Sequence, residues 1–462
     1  MPEFLERRYN PQSRTILSVI SLVSYVLTKV AVTVYAGGLV FQQVFGIKEL
    51  WGIDFFWIAA IGLVVLTALY TIFGGMKSVL YTSVLQTPIL LLGSLIILVL
   101  GFKELGGWDE MMRVCGAVTV NDYGDTMTNL IRSNDDANFP WLGALIGSAI
   151  IGFWYWCTDQ FIVQRVLSGK NEMEARRGTI FGAYLKLLPV FLFLIPGMIA
   201  FALHQKYIGA GGEGFLPMLA NGTANADAAF PTLVAKLLPA GVKGLVVCGI
   251  LAALMSSLAS LFNSSAMLFT IDFYKRFKPE TPEKKLVGIG QIATIVIVVL
   301  GILWIPIMRS VGDVLYTYLQ DVQSVLAPGI AAAFLLGICW KRTSAQGGMW
   351  GLISGMVIGL TRLGAKVYYS NAGEVADSTF KYLFYDMNWL FFCGWMFLFC
   401  IIVVIVVSLA TEAPTAEKIQ GLVFGTATKK QKAATRASWN HWDIIHTVII
   451  LAITAAFYWY FW

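Results

Sequence analysis

The residues best suited to chemistry in this chain are hydroxyls within an apolar stretch near its middle, residues 251–265. The stretch could lie within a helix that spans a bilayer, yet it contains five serines and an asparagine. Hydrocarbon offers such groups no partner, and hydroxyl and carbonyl oxygens are ligands that a small hard cation prefers. The pattern predicts close packing of small residues between helices, with a cation site as the alternative. One helix face should carry the positions that recur at helical spacing, which are Ala253, Ser256, Ser257, Ser260 and Ser264.

A second cluster, at residues 152–160, combines aromatic rings with hydrogen-bonding groups. Trp154, Tyr155 and Trp156 come just before a polar group that includes Asp159. Aromatic faces stack on the apolar face of a sugar ring, while amides and hydroxyls bind its hydroxyls. The cluster therefore predicts either a sugar site or an aromatic core whose polar residues lie near the membrane interface.

A third polar run lies at residues 316–324, just before Pro328. It includes Tyr316, Gln320 and Asp321 within an otherwise apolar span. Transporters build midplane sites from broken, polar helices at membrane depth. We therefore expect a broken helix here or, alternatively, an outer end of the span that is exposed to water.

Three basic residues fall inside predicted spans: Lys29, Lys186 and Arg362. A cation at the bilayer centre costs about 2.5–3.5 kcal/mol even on insertion scales, so each one needs a partner or a wet cavity. Lys29 and Arg362 are expected to snorkel or to pair structurally. Lys186 either snorkels or lines a cavity, in a helix that Pro189 and Pro196 should kink.

The composition excludes an ordinary soluble protein, because 57% of the 462 residues are hydrophobic and only 13% are charged. We interpret residues 1–462 as a single polytopic membrane domain. The net charge of +6 does not predict a nucleic-acid partner, because the basic residues lie in short loops, as membrane topology requires. The three histidines and six cysteines match no nucleophile or metal-ligand pattern, so we do not expect an enzyme.

Long apolar runs predict about eleven transmembrane helices in the lipid bilayer. Most of the 33 Lys and Arg lie in alternate loops starting from the N-terminus, which places the N-terminus in the cytoplasm and Trp462 outside. We expect a multi-pass protein of the plasma membrane, and the short tails favour a bacterial inner membrane. The predicted spans are 15–44, 53–73, 78–102, 141–165, 178–204, 244–274, 286–308, 314–340, 346–368, 388–410 and 443–462.

The loops predicted to lie outside differ in character from the basic loops. Residues 104–138 are acidic and polar, and residues 206–243 combine glycines with prolines. Short surface or re-entrant helices are expected in the second loop. That loop also contains Asn221-Gly-Thr223, the pattern of an N-glycosylation acceptor.

These clusters belong to ordered motifs that resemble the sodium/glucose cotransporters of the sodium:solute symporter family over essentially the whole chain. Several motifs in the family's order are a more specific signal than any one of them. They are PEFLERR at 2–8, LYTIFGG at 69–75, WYWCTDQ at 154–160 with VQR at 163–165, YLK at 184–186, LMSSLAS at 254–260 with FNS at 262–264 and FT at 269–270, and FLLG at 334–337 with WKR at 340–342.

The resemblance implies an all-α membrane protein with the inverted-repeat (LeuT-like) transporter fold and extra peripheral helices. It implies sodium-driven uptake of a sugar by alternating access. A sodium ion would bind the carbonyl oxygen of Ala253 and the hydroxyls of Ser256 and Ser257. Ser83 stands where many relatives carry an aspartate linked to a second sodium site, which argues against a second sodium here.

The resemblance also implies the sugar contacts. Tyr155 would be the inner gate that stacks on a glucose- or galactose-like sugar, with Trp156 beside it, while Lys186 and Gln320 would hydrogen-bond its hydroxyls. One alternative is a symporter for another polyol, such as an inositol, or for an acidic sugar. A second alternative is a truncated, non-transporting remnant that keeps the scaffold.

The largest departure from the family lies at the front of the chain. The resemblance implies that relatives carry about three helices before the motif that begins at Pro2, and that those helices supply further sodium and sugar ligands. We therefore expect an incomplete transporter, which would be a truncated copy, a wrongly assigned start or a remnant.

The topology can be tested by cysteine labelling from the outside of intact cells. Asp122→Cys should react with a membrane-impermeant reagent, because its loop lies outside, whereas Lys430→Cys should not react. Labelling of the second variant but not the first would show that the orientation is reversed.

Overall fold

The computed structural model describes the chain except residues 220, 221, 312, 313, 373–375 and 462, and except the side chains at 70, 72–83, 85 and 308–311. The glycosylation pattern at Asn221 and the Ser83 position therefore lie outside the described residues.

The chain is built from α-helices, with one two-residue antiparallel hairpin, Glu49–Leu50 with Ile53–Asp54. The helices are α1 Pro2–Arg8, α2 Pro11–Ser24, α3 Ala31–Phe45, α4 Phe55–Leu105, α5 Trp108–Gly116, α6 Trp141–Phe153, α7 Gln160–Leu167, α8 Glu172–Pro189, α9 Ile195–Gly209, α10 Ala229–Leu237, α11 Ala240–Met267, α12 Lys275–Phe277, α13 Glu283–Val311, α14 Leu315–Cys339, α15 Ala345–Asn371, α16 Thr379–Lys381, α17 Trp389–Ala410, α18 Ala416–Ile419, α19 Lys429–Ala437 and α20 His441–Tyr460.

The predicted spans correspond to long helices of the structure. Among the described residues, nine helices are long and apolar enough to cross a membrane, and the shorter apolar segment Phe55–Leu69 lies in α4. The predicted span 346–368 corresponds to α15, which is long enough to cross but is not one of those nine. Glycines and two basic residues lower the hydropathy of α15.

Two predicted spans, 53–73 and 78–102, are one continuous helix in the structure. Helix α4 has 51 residues, which at 1.5 Å per residue gives a length of about 77 Å, well beyond the bilayer core of about 30 Å. The predicted loop between these spans is therefore wrong. Each added residue of a helix gains a backbone hydrogen bond, and a glycine weakens the helix without having to end it.

Several spans contain a π-helical stretch, a feature that often marks functional sites. The backbone is irregular where a kink is predicted at Pro189 and Pro196: α8 ends at Pro189, a π-helical stretch follows, and α9 carries Pro196 in its first turn. The stretches within predicted spans are Tyr25–Val30, Trp154–Thr158, Val190–Leu194 and Leu268–Tyr274, and a further stretch, Tyr382–Asp386, lies just before α17.

The chain divides into two compact units. Unit 1 comprises Met1–Lys29, Ser133–Ile180 and Ser264–Thr447, and unit 2 comprises Val30–Arg132, Phe181–Asn263 and Val448–Trp462. Each unit therefore combines segments that are far apart in the sequence.

The core of unit 1 is formed by α6, α14, α15 and α17. Helices α14 and α15 approach so closely that a Cβ atom on Gly355 would lie 2.7 Å from the Cα atom of Gly329. Arg8 of α1 is fully buried at the C-terminal end of α14, where it donates to the carbonyl oxygens of Gly337 (2.8 Å) and Trp340 (3.1 Å). A basic side chain at this end satisfies carbonyl groups that the helix leaves without partners.

The core of unit 2 is formed by apolar side chains of α4, α5, α9, α10 and α11. Ile97, Cys115, Ile199 and Leu203 are fully buried there. The short helix α10 lies in the loop 206–243, as the sequence predicts. In the same loop the backbone N–H of Leu216 donates to Nδ1 of the buried His204, over 3.0 Å, which fastens the loop to α9.

The close contact of α14 with α15 can be tested by Gly355→Ala. The added methyl group meets backbone rather than a flexible side chain, so we expect a loss of about 1–3 kcal/mol in the free energy of unfolding. The control is Gly364→Ala in the same helix, where nothing lies within 4 Å of the added Cβ. The control should be neutral or slightly stabilising, because alanine favours helix over glycine. Equal thermal unfolding midpoints of the two variants in detergent would contradict the close packing.

Candidate functional site

The predicted site residues are divided between the two units. Tyr155, Trp156 and Gln320 lie in unit 1, and Lys186 lies in unit 2 together with the serine-rich part of α11. Each group is described within its own unit.

The span that carries Tyr155 is broken. Helix α6 runs into the π-helical stretch Trp154–Thr158, and Asp159 then adopts an extended conformation with φ −72° and ψ 121°. The Asp159 carboxylate accepts from the backbone N–H of Phe161 (3.1 Å) and so caps α7. A broken, polar helix is therefore present in this protein, but not in the segment for which the sequence predicted it.

The three aromatic rings of this stretch have different environments. Trp154 is buried in the core of unit 1, and Tyr155 is partly buried and packs against that core. The Trp156 side chain is 51% exposed, and its ring meets the Tyr155 ring edge-on with centroids 5.1 Å apart. The prediction of an aromatic core therefore holds for Trp154, whereas the Trp156 ring lies on the surface of unit 1.

The polar run before Pro328 lies in an unbroken helix. Helix α14 continues from Leu315 through Pro328 to Cys339, so the predicted break is wrong. Gln320 is half-buried and donates through Nε2 to the hydroxyl oxygen of the exposed Tyr316 over 2.8 Å. The alternative prediction of an exposed outer end agrees with the exposure of Tyr316.

A charged cluster that the sequence did not reveal lies one residue further along α14. Asp321 is buried, and its Oδ2 lies 2.6 Å from Nζ of Lys366. Arg362 is fully buried, with Nη2 lying 3.6 Å from the other Asp321 oxygen and 2.7 Å from the Met387 carbonyl oxygen to which it donates. Its guanidinium lies 4.0 Å from the centre of the Phe392 ring. The predicted structural pairing of Arg362 is confirmed, but Lys366, which also lies inside the predicted span 346–368, was missed.

Lys29 is likewise paired. Its Nζ contacts a carboxylate oxygen of Asp159, and the Asp159 side chain is only 2% exposed. The partner could have been sought among the acidic residues within spans, because a buried cation needs a counterion.

The serine-rich face of α11 has mixed surroundings. Ser256 and Ser260 are buried, while Ala253 and Ser257 are half-buried. Beyond these residues, in unit 1, Ser264 is buried and accepts a hydrogen bond from Nε2 of Gln164. The face therefore contributes to helix packing at Ser264, and around Ser256 and Ser257 it offers neutral oxygens that would suit a small cation. Among the described residues there is no group of three or more His, Cys, Asp and Glu that could hold a metal ion.

Lys186 lies in α8, three residues before Pro189 and the π-helical stretch that follows. It is exposed within unit 2. The position is compatible with both predicted roles, snorkelling and lining a cavity.

Comparison with known proteins identifies similar sequences along the chain. The sequence profile of the sodium:solute symporter family matches residues 1–355. A sodium/mannose cotransporter of Bos taurus is 35% identical, over 100% of this chain and 80% of its own length. Sodium/myo-inositol cotransporter 2 of Homo sapiens is 35% identical over 92% of this chain. Sodium/glucose cotransporter 1 of Ovis aries is 36% identical over 89% of this chain. The chain spans 64% of the length of these last two relatives.

The fold is also similar to that of a solved structure. A sodium-coupled sialic acid symporter, in a substrate-bound outward-open state, matches with a TM-score of 0.66 at 21% sequence identity. The match covers 90% of this chain and 78% of that one. The predicted inverted-repeat transporter fold is confirmed by this similarity.

Proposed function

The chain belongs to the sodium:solute symporter family, and we propose that it serves the sodium-coupled symport of a monosaccharide by alternating access. Its relatives are cotransporters of mannose, myo-inositol and glucose with sodium, a non-enzymatic family of multi-pass membrane proteins. We place the protein in the plasma membrane, with its N-terminus in the cytoplasm and its C-terminus outside.

The observation that carries the proposal is the exposed Trp156 ring beside Tyr155 in a broken span. The break at Asp159 interrupts an otherwise apolar helix, which is how transporters form sites at membrane depth. A flat aromatic surface suits the apolar face of a sugar ring. In this proposal Tyr155 is the inner gate that stacks on the sugar, and Trp156 forms the adjoining wall.

Lys186 and Gln320 would provide the hydrogen bonds to the sugar hydroxyls. An ammonium group and an amide together can both donate and accept, which matches a neutral polyol. The amide of Gln320 already donates to Tyr316, so a sugar hydroxyl could replace that partner at little cost.

Sodium would bind the carbonyl oxygen of Ala253 and the hydroxyls of Ser256 and Ser257. Three oxygens from one helix are about half of the shell that a hard cation takes, so other segments must supply the rest. Binding on a partly buried helix face desolvates the ion, which favours occupancy only when the shell is complete.

A second candidate substrate is a cyclic polyol. A relative at 35% identity is a sodium/myo-inositol cotransporter, and a site of aromatic rings, an amide and an ammonium group would not by itself separate a hexose from an inositol. An acidic sugar would require a basic group at the site, which Lys186 could supply.

The sugar contacts can be tested by Lys186→Ala and Gln320→Ala. Loss of the amide should weaken sugar binding by about 1 kcal/mol, and loss of the charged donor by about 1.5–3 kcal/mol. The controls are Lys206→Ala and Gln42→Ala, which remove the same two residue types elsewhere. In the native protein Lys206 donates to the carbonyl oxygen of Leu105, and Gln42 donates to the carboxylate of Asp54. Binding of glucose, mannose and myo-inositol is measured for each protein. Unchanged affinities in the first pair would contradict the assignment.

The sodium ligands can be tested by the dependence of uptake on sodium. Ser257→Ala should raise the sodium concentration needed for half-maximal uptake more than it alters the preference among sugars, because the hydroxyl contacts the ion. Ser265→Ala, on the same helix but outside the shared face, is the control.

The 462-residue chain is compared with the same chain preceded by the N-terminal helices of an aligned relative. A chain that takes up no solute in either form would favour the non-transporting alternative.

A further inference from the structure

We propose that Lys29 and Asp159 form a latch that positions Tyr155 and Trp156 by fixing the geometry of the break in their helix. Lys29 is then a positioning residue of the sugar site rather than a passive buried cation. The inference rests on the proposed function for the role of Tyr155 in sugar binding, but the latch itself is a property of unit 1 and can be tested without transport.

The ammonium group of Lys29 lies in an aromatic enclosure. Its Nζ is 4.7 Å from the centre of the Tyr25 ring, 5.4 Å from that of Tyr155 and 4.3 Å from that of Phe161. The Lys29 side chain is 10% exposed. A cation near the face of an aromatic ring is attracted by the ring, and the attraction grows when water is excluded. The Tyr155 ring is therefore held from one side by a charge that is itself fixed.

Asp159 fixes that charge and the break at the same time. Its carboxylate contacts Lys29, accepts from the Tyr25 hydroxyl over 3.0 Å, and caps α7 through the backbone N–H of Phe161. The same Phe161 N–H also lies 3.0 Å from the Tyr25 oxygen. One carboxylate thus joins the helix end after the break to a segment more than a hundred residues earlier in the sequence.

Both partners come from irregular backbone. Tyr25 and Lys29 lie in the π-helical stretch Tyr25–Val30, four residues apart, and Tyr155 lies in the stretch Trp154–Thr158. Such stretches are local departures from regular helix that frequently occur at functional sites. Lys29 lies within the first stretch and Asp159 directly follows the second, so the ion pair links the two stretches and would transmit a change in either one to the rings.

The test uses a cysteine introduced by Thr158→Cys, because Thr158 is buried directly before Asp159 and a thiol there reacts only when this segment opens. In the full 462-residue chain, Cys157, Cys248 and Cys339 are replaced by serine, because they are exposed. The rate at which the thiol of T158C reacts with N-ethylmaleimide in detergent then reports local opening at the break. Cys115, Cys393 and Cys400 are buried, and their failure to react verifies that each variant is folded.

Three variants are compared in this background. Lys29→Met should raise the labelling rate of the T158C thiol about tenfold, because removal of one partner of a buried pair favours local opening. The double variant Lys29→Met with Asp159→Asn should remain fast, because the latch is absent although no unpaired charge is left. The matched control Lys366→Met removes a cation from the Asp321 cluster and should leave the T158C labelling rate unchanged.

The outcomes separate a latch from a structural ion pair. If the pair only avoids an uncompensated charge, the double variant returns to the original rate, which would overturn the proposal. An unchanged rate in Lys29→Met, or an equal rise in Lys366→Met, would overturn it as well. Because the labelling needs neither sugar nor sodium, failure of the proposed transport function would leave this result intact.

Discussion

A charged side chain in hydrocarbon finds neither water nor a counterion, so a transmembrane helix that carries one must meet a particular partner helix. The arrangement of unit 1 depends on this constraint. Lys29 meets Asp159 at the break between α6 and α7, and Arg362 and Lys366 meet Asp321 on α14. Apolar surfaces can pack in several registers, whereas an ion pair is satisfied in only a few. These contacts therefore select which helix faces lie together.

The irregular backbone of the aromatic stretch follows the same constraint. Where the helix is broken, the freed groups are satisfied locally: the backbone N–H of Asp159 and the hydroxyl of Thr158 both donate to the Trp154 carbonyl, over 3.0 and 2.8 Å. These two donors thus remain hydrogen-bonded at the break, as backbone inside lipid would require. The break also places neighbouring rings in different environments, because Trp154 lies in the core and Trp156 is exposed. A regular helix would have offered these rings a single continuous stripe.

The sequence was sufficient for most of the helices and for the family, because long apolar runs and ordered motifs are read directly from it, although it did not predict that α4 is continuous. It also indicated that Lys29 and Arg362 need partners. It could not name Asp159 or Asp321, because pairing depends on which helices become neighbours. The predicted break near Pro328 failed for another reason: a proline removes one backbone hydrogen bond, and buried neighbours can make up for that loss. The actual break, at Asp159, arises because the aspartate side chain competes for backbone N–H groups. No glycine or proline marks this position in the sequence.

The cluster on α14 and α15 has a consequence for the synthesis of the protein. Helix α15 brings Arg362 and Lys366 toward the bilayer, and each cation would cost about 2.5–3.5 kcal/mol if the helix entered alone. The compensating carboxylate is on α14, which leaves the ribosome first. Entry of the two helices together, as a hairpin with the charges already paired, would avoid that cost. The loop of five residues between Cys339 and Ala345 is short enough to keep the two helices together during such a step.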